Sequence, residues 1–259
     1  MEAILAKVRR AEALIGELSR ANEHVMSSAQ KPYRIERRHD ASAKRFQFWG
    51  YSQALPHDLS ALVGDAVHNL RSSLDHMIWK LAEKNRHPDP KAQFVARAKA
   101  SEFRKDRRGA LACIGPEALQ LLDTVQPYHA PTPRDAPLYV LTDLDNRDKH
   151  RALLAIGAAA RMGDQLVAVE MPGVPVPNPA GFAIGGLSPP KTVEMTPNGA
   201  LVFEVEFARP ARHIGFEMEF NVNLALANAG SFSKVPVVDA LLQLRDVAQR
   251  TLKVFEPLV

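Results

Sequence analysis

The stretch Ala61–Leu81, ALVGDAVHNLRSSLDHMIWKL, constrains the fold most. Each residue of an α-helix advances about 100° around the axis, and on that wheel the stretch and its flanks predict one long amphipathic helix. Leu59, Val63, Ala66, Val67, Leu70, Leu74, Met77, Ile78 and Leu81 share one arc. Asp65, His68, Asn69, Arg71, Ser72, Asp75, His76 and Trp79 fall on the opposite one. The first arc is core. The second is not what bulk water selects, because exposed helix faces favour strong helix formers such as Lys and Glu. His, Asn, Ser and Trp are poorer formers with specific donors and acceptors. The front of this helix is therefore expected to meet another part of the protein or a ligand.

The rest of the chain supplies elements for that helix to organise. Ile4, Val8, Ala11, Ile15, Leu18 and Val25 recur at helical steps and predict a first helix over residues 2–29. Tyr33 to Tyr51 reads as a β-hairpin turning at Asp40-Ala41-Ser42, basic and aromatic together. Such interleaving occurs in single-strand nucleic-acid binders, but it also describes an edge hairpin protected by charge, which is the preferred reading. Asp58 is the expected N-cap of the central helix, which runs to about Asn85. A short basic helix or loop (98–108), a helix starting at Pro116 and a helix over Pro137–Lys149 follow. After Arg151 the pattern turns to strands. Ala152–Arg161 and Gln165–Glu170 are expected to pair across Gly163-Asp164. Met171–Pro190 is expected to be a surface loop, and Pro197-Asn198-Gly199 a second hairpin turn. His213–Leu226 alternates apolar with polar, and an amphipathic helix over Val237–Phe255 closes the chain. The expected class is α+β. A helical part with a hairpin at about 33–51 spans 1–151, and an antiparallel sheet with a C-terminal helix spans 152–259, the two packed as one unit.

Several function classes are excluded or disfavoured. The single cysteine, Cys113, permits neither an internal disulfide nor a cysteine zinc site, and it fits a reducing compartment. The N-terminus carries charges throughout, and the longest apolar tract, Ala152–Ala160, is too short to span a bilayer. A soluble cytoplasmic protein with no membrane partner is expected. Residues 1–150 hold 24 Lys+Arg and 19 Asp+Glu, a net of +5, while residues 151–259 hold 9 and 10, a net of −1. The first half suits an anionic partner, though the same excess also describes an ordinary basic surface. There is no Gly-rich phosphate loop, paired-histidine zinc helix or nucleophile elbow.

Two clusters carry the candidate chemistry. On the central helix Arg71 and His76 form an Arg-x-x-x-x-His spacing, with Ser72 and Asp75 between them and His68 and Asn69 just before. A guanidinium stabilises charge on a phosphoryl group and an imidazole moves a proton near neutral pH. That pair would do phosphodiester chemistry without a metal. The second cluster ends the Pro137–Lys149 helix: Asp143, Asp145, Asn146, Asp148, Lys149, His150 and Arg151. Three readings stay open. Arg71 and His76 are catalytic, with no cofactor. Alternatively, His68, Asp75 and His76 join Asp145, Asp148 or His150 around Zn, Mn or Fe in a metal-dependent hydrolase. Or the clusters pack on one another as a non-enzymatic docking network, Asp148 with Arg71 or His68 and Asp75 with Arg151 or Lys149.

HNLRSSLDH (His68–His76), QPY (Gln126–Tyr128) and LDNRDKHR (Leu144–Arg151), in that order, resemble an uncharacterised family of bacterial proteins. More loosely, the Arg71…His76 helix resembles the active helix of the HEPN superfamily of helical-bundle ribonucleases and nucleotide-binding domains. That resemblance implies a metal-independent endoribonuclease or RNA-binding protein of a toxin or defence type, acting as a homodimer on RNA or a nucleotide. Arg71 would hold the scissile phosphate and His76 would act as acid and base. The chain departs from the HEPN pattern at Ser72, where an asparagine or another strongly polar residue is common, and in its β-rich second half.

Overall fold

Helix α1 (Glu2–Ser27) buries Ile4, Val8, Ala11, Leu14, Ile15 and Leu18, one face at steps of three and four. That face packs along α2 (His57–Lys84), the central element. All nine apolar residues read from the wheel are buried in α2. Burying one Leu, Ile, Val or Met side chain stabilises by about 1.5–3 kcal/mol, so this face holds the helix. α2 starts one residue before the expected cap. Pro56 occupies the cap position, its carbonyl accepts the Leu59 N–H at 3.2 Å, and no side chain caps the helix. Asp58 instead sits in the first turn, where its charge suits the helix dipole. The computed structural model describes residues 1–40, 44–53, 55–86, 88–150, 156–170, 184–187, 192–207 and 214–259.

Further helices surround α2. α3 (Ala100–Arg108) leads into a 3-10 turn at Ala110–Ile114, then α4 (Pro116–Thr124) and α5 (Pro137–His150). α6 (Val237–Phe255) lies against α1, α2 and α5, burying Val237, Leu241, Leu244, Ala248, Leu252 and Phe255.

The strands form two antiparallel sheets. β1 (Tyr33–His39) and β2 (Arg45–Ser52) make the expected hairpin, whose turn residues 41–43 lie outside the described residues. The hairpin does not stand alone. β2 pairs with β6 (Ala200–Phe207), and β6 with β4 (Ile184–Leu187), giving the order β1-β2-β6-β4 with β1 at an edge. The second sheet has the order β5-β3-β7, from β5 (Val193–Met195), β3 (Ile156–Glu170) and β7 (Ile214–Leu226). The chain is thus α+β, with a helical N-terminal part, antiparallel sheet and a C-terminal helix.

Three strand expectations are corrected. Residues 156–170 are one long strand, not a hairpin. Gly163-Asp164 falls where β3 shifts register against β7, with Met162 opposite Phe220 and Leu166 opposite Met218. Between those pairs three residues of β3 (163–165) oppose the single Glu219 of β7, so the turn-forming pair is absorbed as a bulge. β4 lies inside the expected loop, whose residues 171–183 and 188–190 are outside the described residues. The Pro197-Asn198-Gly199 turn forms, with Gly199 N–H donating to the Thr196 carbonyl at 3.0 Å. Its flanking strands then part into different sheets. The sheets meet at Gly50, where a Cβ would lie 2.3 Å from Met195 Sδ.

On the outer face of the hairpin the basic residues cover the aromatic ones. Arg34 lies 4.4 Å from the Tyr51 ring centroid and Arg38 4.9 Å from that of Trp49. Both guanidinium groups also pair with Glu36, at 3.2 and 3.4 Å. These rings are already stacked, which suits the edge-strand reading better than base stacking.

Candidate functional site

The front of α2 is divided between buried and exposed residues. Arg71 and Asp75 stand at one margin of the apolar arc, and residues 92–97 cover that margin without regular secondary structure. Ala92, Phe94, Val95 and Ala96 are buried. A buried segment outside any helix or sheet needs other partners for its peptide groups, and three side chains provide them. Asp75 Oδ1 accepts the Phe94 N–H at 2.8 Å. Arg71 donates from Nη2 to the Phe94 carbonyl and from Nη1 to Asp75 Oδ1. Its guanidinium carbon lies 5.6 Å from the Phe94 ring centroid. Gln126 clamps the other end: Oε1 accepts the Arg97 N–H at 2.9 Å, and Nε2 donates to the Val95 carbonyl at 2.9 Å and the Leu122 carbonyl at 3.1 Å. Arg71 is 4% exposed and Gln126 3%.

The strap is secured further along. The Tyr128 N–H donates to the Arg97 carbonyl at 3.1 Å, and its hydroxyl donates to Asp123. Arg97 makes a two-pronged pair with Asp106, at 2.6 and 3.0 Å, and hydrogen bonding to that carboxylate raises its pKa above the usual arginine value.

A second network joins α2 to α5. His68 Nδ1 lies 3.0 Å from Asp145 Oδ1, and Lys149 Nζ donates to Asp145 Oδ2 at 2.6 Å. Asp145 is 2% exposed, and the His68 side chain is 46% exposed. Asp148 packs against Gly64, where a Cβ would come within 2.6 Å of Asp148 Oδ1. Glycine at that position lets the two helices approach with a carboxylate between them.

The remaining candidates are dispersed. Asn69 donates to the Asp65 carbonyl of its own helix at 2.8 Å, and Ser72 is half-buried. His76 is exposed, so the helix that buries Arg71 turns His76 to solvent. Trp79 is exposed too and donates to Glu83 at 2.9 Å. Lys80 first, then Trp79, holds the Glu83 carboxyl below the usual glutamate range through hydrogen bonds. The side chain of His150 and all of Arg151 lie outside the described residues.

Asp75 takes Arg71 on its own helix, the i,i+4 pair the spacing allows, and His68 takes Asp145; Arg151 lies outside the described residues. The i,i+4 spacing brings Arg71 to Asp75 and Lys149 to Asp145 before any other helix competes. Among the described residues no three His, Cys, Asp or Glu side chains come together as a metal ion requires, and the side chain of His150, an expected ligand, lies outside them. Also among them, no helix is long and apolar enough to cross a membrane.

Chemically, the Arg71 guanidinium is committed to a carboxylate and a carbonyl. The arrangement nearest to acid–base chemistry is His68, whose ring a buried carboxylate orients through Nδ1. Gln126 entered the sequence reading only within the QPY motif, without a role in the site, and the 92–97 strap did not enter it. Their one signal was a glutamine at the close of the apolar run in LQLLDTVQPY, where an amide is out of place unless satisfied. Comparisons with protein-family models, with characterised proteins and with solved structures gave no match.

Proposed function

We propose that this chain is a non-enzymatic interaction module, in which the Arg, His and Asp residues of α2 and α5 form a docking network rather than a catalytic centre. The observation that supports this most is the environment of Arg71. A phosphate-binding arginine presents free N–H donors to solvent or a cleft. Arg71 is buried and spends both terminal nitrogens on Asp75 and Phe94. Gln126, from a different motif, closes on the same strap. Two of the three motifs therefore converge on one structural task, and the third ties α5 to α2 through Asp145.

A second reading, a metal-independent ribonuclease, keeps one specific support. The His76 side chain is exposed and makes no hydrogen bond among the described residues, as an acid–base group awaiting a substrate would. The two readings separate in one experiment. Wild type and His76→Ala are incubated with a labelled single-stranded RNA in the presence of EDTA. The interaction-module reading expects no cleavage by either. Cleavage by wild type that His76→Ala abolishes, at an unchanged melting temperature, would establish the ribonuclease and overturn the first reading.

A further inference from the structure

α3 separates its charges by face. Arg104, Lys105, Arg107 and Arg108 span an arc of about 160° on the wheel, and Glu102 and Asp106 lie outside it. All four cations are exposed. Phe103 is buried and anchors the helix. Asp106 is occupied by Arg97, and among the described residues none of the four cations has a carboxylate within the 4.0 Å of an ion pair. Arg104 with Arg107, Arg104 with Arg108 and Lys105 with Arg108 are like charges at i,i+3 and i,i+4, which destabilise a helix. The dipole favours cations only in the last turn, which holds Lys105, Arg107 and Arg108 but not Arg104. A soluble surface ordinarily intersperses both signs.

The charge density selects the occupant. Residues 104 to 108 rise about 6 Å along the axis and carry four cations, one per about 2 Å. Duplex DNA carries one phosphate per about 1.7 Å of its axis, whereas an extended acidic peptide offers at most one carboxylate per about 3.3 Å. We propose that this face of α3 binds the phosphate backbone of a nucleic-acid duplex, without reading base sequence. The face carries no Asn or Gln for base edges and no exposed aromatic ring for stacking. The proposal is independent of the role of α2, because among the described residues no hydrogen bond or ion pair joins these cations to Arg71 or His76.

The test is fluorescence anisotropy of a short mixed-sequence duplex DNA, titrated with the full chain across a range of NaCl concentrations. Log affinity is expected to fall linearly with log salt. The variant R104Q/K105Q/R107Q/R108Q should lose at least tenfold in affinity at low salt, and the slope should flatten by about 0.9 per cation engaged. The control R34Q/R38Q, on the hairpin, should stay within twofold of wild type. If the quadruple variant does not fold by circular dichroism, R104Q and R108Q are measured singly, each expected to flatten the slope. The proposal is overturned by absence of salt-dependent binding in wild type or by unchanged affinity and slope in the variants. It is equally overturned if polyglutamate competes as well as duplex at equal charge, which would assign the face to an acidic protein.

Discussion

Replacing Arg71 by Met tests the docking network most directly. Met keeps much of the apolar stem that packs beside Phe94 and removes only the guanidinium. Two groups then lose their partner. The Asp75 carboxylate, 28% exposed, is left with the Phe94 N–H alone. The buried Phe94 carbonyl loses the donor that Arg71 supplied. Removing one member of a buried pair costs about 3–5 kcal/mol, because the other charge stays behind. Water reaches part of Asp75, so the lower end applies, about 3 kcal/mol. With about 2.1 cal/mol/K of unfolding entropy per residue over 259 residues, that loss lowers the melting temperature by about 5–6 °C if the chain unfolds as one unit. The assay is calorimetric melting of wild type, R71M and H76A side by side. H76A, exposed, should stay within about 0.5 kcal/mol of wild type. An R71M protein that melts within a degree of wild type would refute the reasoning, because the guanidinium would then contribute nothing to holding the strap.

Gln126→Ala removes the acceptor for the Arg97 N–H and the donor for the Val95 and Leu122 carbonyls. Its expected cost is about 2–4 kcal/mol, since each buried group left unsatisfied costs about 1–3 kcal/mol and some relaxation follows. Hydrogen exchange should quicken at Arg97 more than in α6, and equal protection in both proteins would sink the clamp. At Glu83 the folded-state pKa is lowered, so the stability it contributes is present above its unfolded pKa and is lost as pH falls through the folded value. Carboxyl-carbon NMR titration should show this value rising towards the usual glutamate range in K80M and, to a smaller degree, in W79F. No upward movement in either variant would contradict the assigned cause.

Helices were legible where their own sequence carried the signal. α6 runs over Val237–Phe255, as its periodicity predicts, because an amphipathic stripe is a local property. The sheets were less legible because pairing is settled by distant partners. Nothing near Gly163 announces that β7 will present a strand long enough to carry β3 straight through a turn signal. Likewise the Pro197-Asn198-Gly199 turn was visible, but the separation of β5 and β6 depends on β2 and β3, far away in the chain.

The surroundings of Arg71 were not legible for a related reason. A helix wheel reports which residues share an arc; it does not report what covers the margin. Arg71 is polar and sits near the polar side, so the wheel groups it with His76. It is buried because residues 92–97, which have no periodicity of their own, lie across it. Such a strap cannot be buried unless side chains satisfy its peptide groups, since desolvating an unpaired amide costs more than a typical hydrogen bond returns. That requirement explains why an arginine, an aspartate and a glutamine are needed together. The arginine supplies donors to a carbonyl, the aspartate accepts an N–H, and the glutamine does both at once, each where its neighbours leave the other role unfilled. Arg71, Asp75 and Gln126 together stand in for the neighbouring strand that would otherwise let an irregular segment join the core.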